Sequence, residues 1–375
     1  MIPRIYDHLE KYLQKNKVTV LYGPRRVGKT TLLTNFLAKT KLTHRLDSGD
    51  DVSVREVFSS ESFEKIKKYA SGYQLIAIDE AQRIPNVGLG LKILVDQTPG
   101  IRVVITGSAS LNLSYKVGEP LVGRMFTHIL YPVSQLELLG QANQLNLESQ
   151  KQQFLIYGAY PEILEADSDE QKTRTLTEIT NSHLFKDIME LKQVKSSKIL
   201  MDLLKLIAFQ IGSEVSLSEL ASNLDIDKKT VARYLNLFEQ AFILYNLRGF
   251  SRNLRKEVTK KSKYYFLDNG IRNAVIANFN DLETRNDVGQ LWENFLISER
   301  LKNQEYQSIH TNNYFWRTWD KKEIDWVEMR EGKLFGYEIK WKKDKGSKAK
   351  SEWLDTYQEA SFQVVNQENY FEFII

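Results

Sequence analysis

VTVLYGPRRVGKTTLLTNFLAK, residues 18 to 39, decides the fold of the first third of the chain. VTVLY (18–22) is a β-branched apolar run of the kind buried in a parallel sheet, and TLLTNFLAK reads as a helix. Between them Gly23, Gly28, Lys29 and Thr30 fit G-x-x-x-x-G-K-[ST], with Pro24, Arg26, Val27 and Thr31 completing the loop. That spacing wraps backbone N–H groups around phosphate oxygens and aims a helix N-terminus at them. The glycines allow close approach, Lys29 neutralises β- and γ-phosphates, and the Thr30 hydroxyl is placed to ligate magnesium. The ligands expected are ATP and Mg2+.

Two further apolar runs belong with this loop. LIAIDEAQ (75–82) is a strand ending in adjacent carboxylates. Asp79 is expected to hold magnesium through water, and Glu80, facing the other way, to polarise the attacking water. IRVVITGSAS (101–110) ends in Thr106 and Ser108, hydroxyls expected either to sit beside the carboxylates and sense the γ-phosphate or to cap the next turn.

Taken with LVGRMFTHILYPVSQLE (121–137), these segments resemble an AAA-type ATPase family of bacteria and archaea, in which an ATPase module precedes a C-terminal domain of unassigned function. The resemblance runs along nearly the whole chain. It implies a parallel-sheet P-loop domain with a small helical lid. It also makes Arg124 a candidate to touch the γ-phosphate from its own or a neighbouring subunit, with a surface arginine in a packing loop as the alternative. Relatives often form rings, so a homo-oligomer is one arrangement the resemblance allows. YGAYPEIL (157–164) matches a family signature and reads as a helix-joining turn.

Length and composition frame the rest. With 375 residues, 42% of them hydrophobic and 27% charged, the chain is long enough for two or three globular domains. The absence of cysteine excludes disulfides, thiolate zinc sites and cysteine nucleophiles. No stretch of about 18 apolar residues occurs, and the start MIPRIYDHLEKYLQKNK has no signal-peptide core, so the expected location is cytoplasmic, without a membrane.

The net charge of +4 is small, but its distribution is uneven. VSLSELASNLDIDKKTVARYLNLFEQAFIL (215–244) has the layout of a helix-turn-helix. Ser216 or Ser218 is available to cap its first helix and Asp227 its second; Val231, Leu235, Leu237 and Phe238 face inward, while Lys228, Lys229 and Arg233 face outward. Two strands follow, and the linker from Arg248 to Lys263 holds seven basic residues (Arg248, Arg252, Arg255, Lys256, Lys260, Lys261, Lys263) against Glu257. The whole looks like a winged helix with a basic wing, suited to DNA phosphates or, alternatively, to a solvated or protein-docking surface.

Beyond residue 276 the helical VGQLWENFLISERLKN (288–303) precedes the alternating segments NYFWRT, KKEIDWVEMR and KLFGYEIKWKK. Asp325 lies in one strand; Glu338 and Lys340, two residues apart, share a face of the next. This is similar to the PD-(D/E)XK nuclease core, which implies Asp325 and Glu338 as metal ligands, Lys340 as the charge-stabilising group and Glu293 as a further ligand. The leading Pro-Asp is absent, and a salt-bridged surface pair would give the same letters. The basic run 340–350 would bind nucleic acid nearby or be solvated. The expected organisation is an α/β P-loop ATPase core (1–135), a helical lid (136–196), a winged helix (197–275) and an α/β nuclease-like domain (276–375). Its function would be magnesium-dependent ATP hydrolysis coupled to conformational change in a DNA-associated protein, with phosphodiester cleavage as a second activity or, alternatively, an ATP-dependent regulatory switch.

Overall fold

The computed structural model describes the whole chain except residues 1, 109–119, 141, 184–187, 189–195, 251–261, 319–320 and 343–348. The chain divides into two compact units: residues 1–133 with 186–193 and 240–242, and the remainder.

In the first unit five parallel strands form a sheet in the order β2-β3-β4-β1-β5. They are β1 (Lys17–Tyr22), β2 (His44–Ser48), β3 (Leu75–Asp79), β4 (Arg102–Gly107) and β5 (Met125–Ile129). Leu75–Ile78 and Val103–Ile105 are continuously buried, as strands covered on both faces must be. On one face Val18, Val20, Ile76, Ile78, Val103 and Ile105 pack with Phe58, Ile66, Leu91 and Leu94 from the surrounding helices. Toward the other, the Thr19 hydroxyl donates to the Tyr12 carbonyl at 3.0 Å, tying down the N-terminal turn Leu9–Tyr12. The order has one consequence for function: β4 lies between β1, which carries the glycine loop, and β3, which carries the carboxylates.

The second unit is built on a seven-stranded mixed sheet, β12-β11-β10-β9-β7-β8-β6. Its strands are β6 (Glu214–Val215), β7 (Leu244–Gly249), β8 (Ser262–Phe266), β9 (Asn312–Arg317), β10 (Glu323–Arg330), β11 (Lys333–Ile339) and β12 (Ser361–Val365). The helices Leu217–Leu224 and Lys228–Gln240 form between β6 and β7, where the helix-turn-helix is expected. Ser216 caps the first and Asp227 the second, accepting from the Thr230 amide at 2.8 Å. Val231, Leu235, Leu237 and Phe238 are buried, with Tyr234 added, and Lys228, Lys229 and Arg233 are exposed. A parallel pairing of β7 with β9, Arg248 opposite Tyr314, carries one sheet through the boundary expected at 275/276. The strands β6 to β8 and the C-terminal strands β9 to β12 therefore share one sheet. Among the described residues no helix is long and apolar enough to cross a membrane.

YGAYPEIL proves to be a clamped turn. Gly158 has φ of +69°, and a Cβ there would lie 2.0 Å from Asp268 Oδ1. Asp268 instead accepts the Ala159 amide at 2.8 Å and caps the helix Asn269–Val275, whose Asn273 donates to the Leu155 and Ile156 carbonyls.

Candidate nucleotide site and a buried charge cluster

At the C-terminal end of β1 the chain turns sharply at Gly23, where φ is +151° and a Cβ would sit 2.0 Å from the Leu130 carbonyl oxygen. No side chain fits. Gly28, with φ of +92°, precedes the helix Lys29–Leu37. Lys29 is buried, and its Nζ donates to the carbonyls of Gly23 at 2.8 Å and Pro24 at 2.7 Å, holding the ammonium over the loop it must serve. Val27 is buried, so this residue serves the loop through its backbone, whereas Thr30 and Thr31 are exposed at the helix start.

The carboxylates and hydroxyls from β3 and β4 converge on this helix start. Thr30 Oγ1 donates to Asp79 Oδ2 at 2.8 Å, and Thr106 Oγ1 donates to Asp79 Oδ1. Thr106 also accepts the Glu80 amide at 3.0 Å, fixing the backbone at which Glu80 turns into the left-handed region with φ of +52°. Gln82 Nε2 donates to Glu80 Oε2 and, at 3.1 Å, to Ser108 Oγ. A chain of hydrogen bonds thus runs Thr30, Asp79, Thr106, Glu80, Gln82, Ser108. The two hydroxyls have different partners: buried Thr106 holds Asp79, and buried Ser108 meets Gln82. Thr30 and Asp79 present adjacent hard oxygens, a set that suits an ion completing its shell with water and phosphate oxygens.

The second unit brings Glu293, Asp325, Glu338 and Lys340 into one neighbourhood. Asp325 and Glu338 stand just beyond the paired Trp326 and Tyr337 of β10 and β11. Asp325 Oδ2 accepts the Ile339 amide at 2.7 Å, and Lys340 pairs with Glu338 at 2.9 Å. Asn294 replaces a strand neighbour for Phe266, accepting its amide at 2.7 Å and donating to its carbonyl at 2.9 Å. That anchor presents Glu293, one residue earlier, to the Tyr265 hydroxyl at 2.6 Å.

Lys263 alters the reading of this cluster. Expected on the surface of a basic wing, it is only 1% exposed, bonded to Glu323 and 4.0 Å from Glu293. Burial, and then the charge of Glu293, pushes the Asp325 carboxyl up from its ordinary 3.8 to about 8; burial likewise raises that of Glu293. Lys263 thus places an ammonium beside Glu323 and Glu293, in the cluster where the sequence leads one to expect a metal. Among the described residues no group of three or more His, Asp or Glu is arranged to hold a metal ion. The remaining wing residues Arg252, Arg255, Lys256, Lys260 and Lys261, and most of the run 340–350, lie outside the described residues.

Comparison with known proteins bears on the first site. Residues 15–139 match the AAA domain family. The chain carries an AAA-type ATPase domain. With its P-loop in place, the protein is an ATP hydrolase. Residues 148–282 and 288–373 match two domains of unknown function, DUF8612 and DUF4143, whose descriptions name no activity. An uncharacterized protein of Mycobacterium tuberculosis is 27% identical, the match covering 88% of this chain and 72% of that one. Uncharacterized proteins of Methanocaldococcus jannaschii (25%; 87% and 75%) and Haemophilus influenzae (24%; 88% and 86%) are similar over comparable lengths. Among solved structures, a Walker-type ATPase of Pyrococcus abyssi aligns with a TM-score of 0.48 at 16% identity, over 72% of this chain and 94% of that one.

Within the ATPase domain Arg124 is not brought to the chain's own nucleotide site. It precedes β5, its carbonyl accepting the Val18 amide at 2.8 Å, and its Nε pairs with Asp96 at 2.7 Å. The strands are parallel, so Val18 marks the end of β1 opposite the P-loop. Gln82, Tyr265 and Glu323 have no role expected from the sequence, and Lys263, counted there among the wing cations, has a different one. Gln82 alone carried a signal, standing two residues after Glu80 in DEAQ.

Proposed function

We propose that the ATPase domain hydrolyses ATP with magnesium held by Thr30 and Asp79, and that Glu80 polarises the attacking water. The observation that supports this reading is the hydrogen-bond chain from Thr30 through Asp79 and Thr106 to Glu80. In it, Lys29 and the loop amides bind the phosphates, Ser108 acts through Gln82, and Glu80 takes a proton from water as the water oxygen attacks the γ-phosphorus and the bond to the β–γ bridging oxygen breaks, releasing ADP and phosphate. Arg124 would act in a neighbouring subunit's site in an oligomer. A cytoplasmic location accords with the cysteine-free sequence.

The cycle is proposed to drive a conformational change in a DNA-associated protein. The helices Leu217–Leu224 and Lys228–Gln240, followed by β7 and β8, follow the order of a winged helix, and exposed Lys228, Lys229 and Arg233 suit phosphate contact. Fluorescence anisotropy of a labelled duplex over a salt series tests it. Charge reversal at Lys228 and Lys229 is expected to weaken binding and flatten the salt slope, and an unaltered slope removes DNA from this surface.

Two readings of the C-terminal cluster remain, and Lys263 separates them. The meeting of Asp325, Glu338, Lys340 and Glu293 favours a nuclease-like fold with magnesium-dependent cleavage. The ammonium of Lys263 among the carboxylates favours an inactive version that docks a partner under control of the ATP state, and this is the reading we prefer. Plasmid incubated with the protein, magnesium and ATP is expected to stay intact. Nicking that disappears in Glu338→Ala/Lys340→Ala establishes the nuclease instead.

A further inference from the structure

The P-loop is held from outside its own motif. Arg4 NH1 donates to the Val27 carbonyl, and Arg4 NH2 donates to the Tyr131 carbonyl at 2.6 Å. One guanidinium thus bridges the last turn of the glycine loop and the segment leaving β5, which itself closes against Gly23 through Leu130. Arg4 is placed by its surroundings. Its amide donates to Asp7 Oδ2 at 2.9 Å, its carbonyl accepts the Asp7 amide at 3.0 Å, and the following turn is anchored by buried Tyr6 and Leu9, Tyr6 lying 5.3 Å from the ring of His128 on β5.

The bond to Val27 matters because of what lies across the peptide. In a trans peptide the C=O of one residue and the N–H of the next point in opposite directions. Holding the Val27 carbonyl therefore also fixes the direction of the Gly28 N–H, one of the amides at the helix N-terminus available to phosphate. Gly28 has the conformational freedom to let this peptide rotate. Something must therefore fix it, and the fork geometry of an arginine satisfies two carbonyls at once.

We infer that Arg4 is a positioning residue for nucleotide binding, holding the Val27–Gly28 peptide in its phosphate-receiving orientation. It touches loop carbonyls, and its effect reaches the phosphates through the Gly28 amide. The inference rests on the assignment of the nucleotide to the P-loop.

The test is calorimetric titration of the 375-residue chain with ADP and magnesium. Arg4→Ala is expected to bind ADP about tenfold more weakly, the size of one lost charge-assisted hydrogen bond. Arg4→Lys, whose ammonium reaches one carbonyl in place of two, is expected to lose roughly threefold. Millimolar guanidinium should restore Arg4→Ala and leave the wild type unchanged, a response that general loosening of the fold would not give. ADP affinities within 1.5-fold (about 0.2 kcal/mol) of wild type in both variants, or a loss in folded Arg4→Ala that guanidinium leaves intact, overturn the inference. Should Arg4→Ala fail to fold, Arg4→Lys decides alone by the same limit. Lys29→Ala separates the two levels: binding lost there but intact in the Arg4 variants removes only the role of Arg4, whereas binding intact in all of them removes the nucleotide site itself.

Discussion

Thr106→Val probes the centre of the hydrogen-bond chain with almost no change in shape. Thr106 is fully buried, donates to Asp79 and accepts the Glu80 amide at 3.0 Å, so the methyl replacement breaks two bonds at the residues assigned to metal and water. A hydrogen bond to a charged group contributes about 1.5–3 kcal/mol. If the loss is felt only where Asp79 and Glu80 act together, in the transition state, it lowers kcat by roughly tenfold to a hundredfold. The phosphate cradle from Gly23 to Thr30 is untouched, so ADP affinity should stay within about threefold of wild type. Phosphate release under saturating ATP gives kcat, and titration with ADP gives binding. A kcat within twofold of wild type would show that Thr106 does not organise the site, and equal falls in kcat and ADP affinity would show that it supports the cradle as a whole.

The second unit yields two more expectations. Asp325 keeps its proton in the folded chain up to about pH 8, against an ordinary value of 3.8. The stability this contributes is full below about pH 4 and drains as pH rises through about 8. Asp325→Asn should therefore gain thermal stability relative to wild type between pH 5 and pH 8; a constant difference across that range contradicts the assignment. Lys263→Met leaves Glu293 and Glu323 without their ammonium, and breaking such a buried pair costs about 3 kcal/mol or more. It is measured as a lower urea midpoint, and an unshifted midpoint would show that Lys263 is not what neutralises the cluster.

The ATP site was legible because its chemistry is local. A parallel strand buried on both faces leaves a continuous apolar run, and VTVLY, LIAID and VVIT each end where a functional residue begins. The helix pair at 217–240 was legible for a similar reason, since caps and apolar spacing are short-range signals. Arg4 was not, because its bonds to Val27 and Tyr131 span 23 and 127 residues. Lys263 was hidden differently: a count of basic residues cannot separate the one buried against Glu323 from its neighbours in the run. Nor does local pattern announce the parallel β7–β9 pairing, which joins strands 63 or more residues apart in the chain. Arg124 was singled out by its place in a family pattern, and parallel strand order then put it at the far end of β5.

On the proposed function, Gly23–Thr30, Asp79 and Glu80 form one hydrolytic site. The decisive experiment incubates Glu80→Gln with magnesium and ATP, passes it through a desalting column and identifies the nucleotide that stays bound. Retained, unhydrolysed ATP is expected, with turnover reduced at least about a hundredfold, an effect of the size that follows general-base loss. Turnover at the wild-type rate, or a variant that no longer holds ATP, would contradict it.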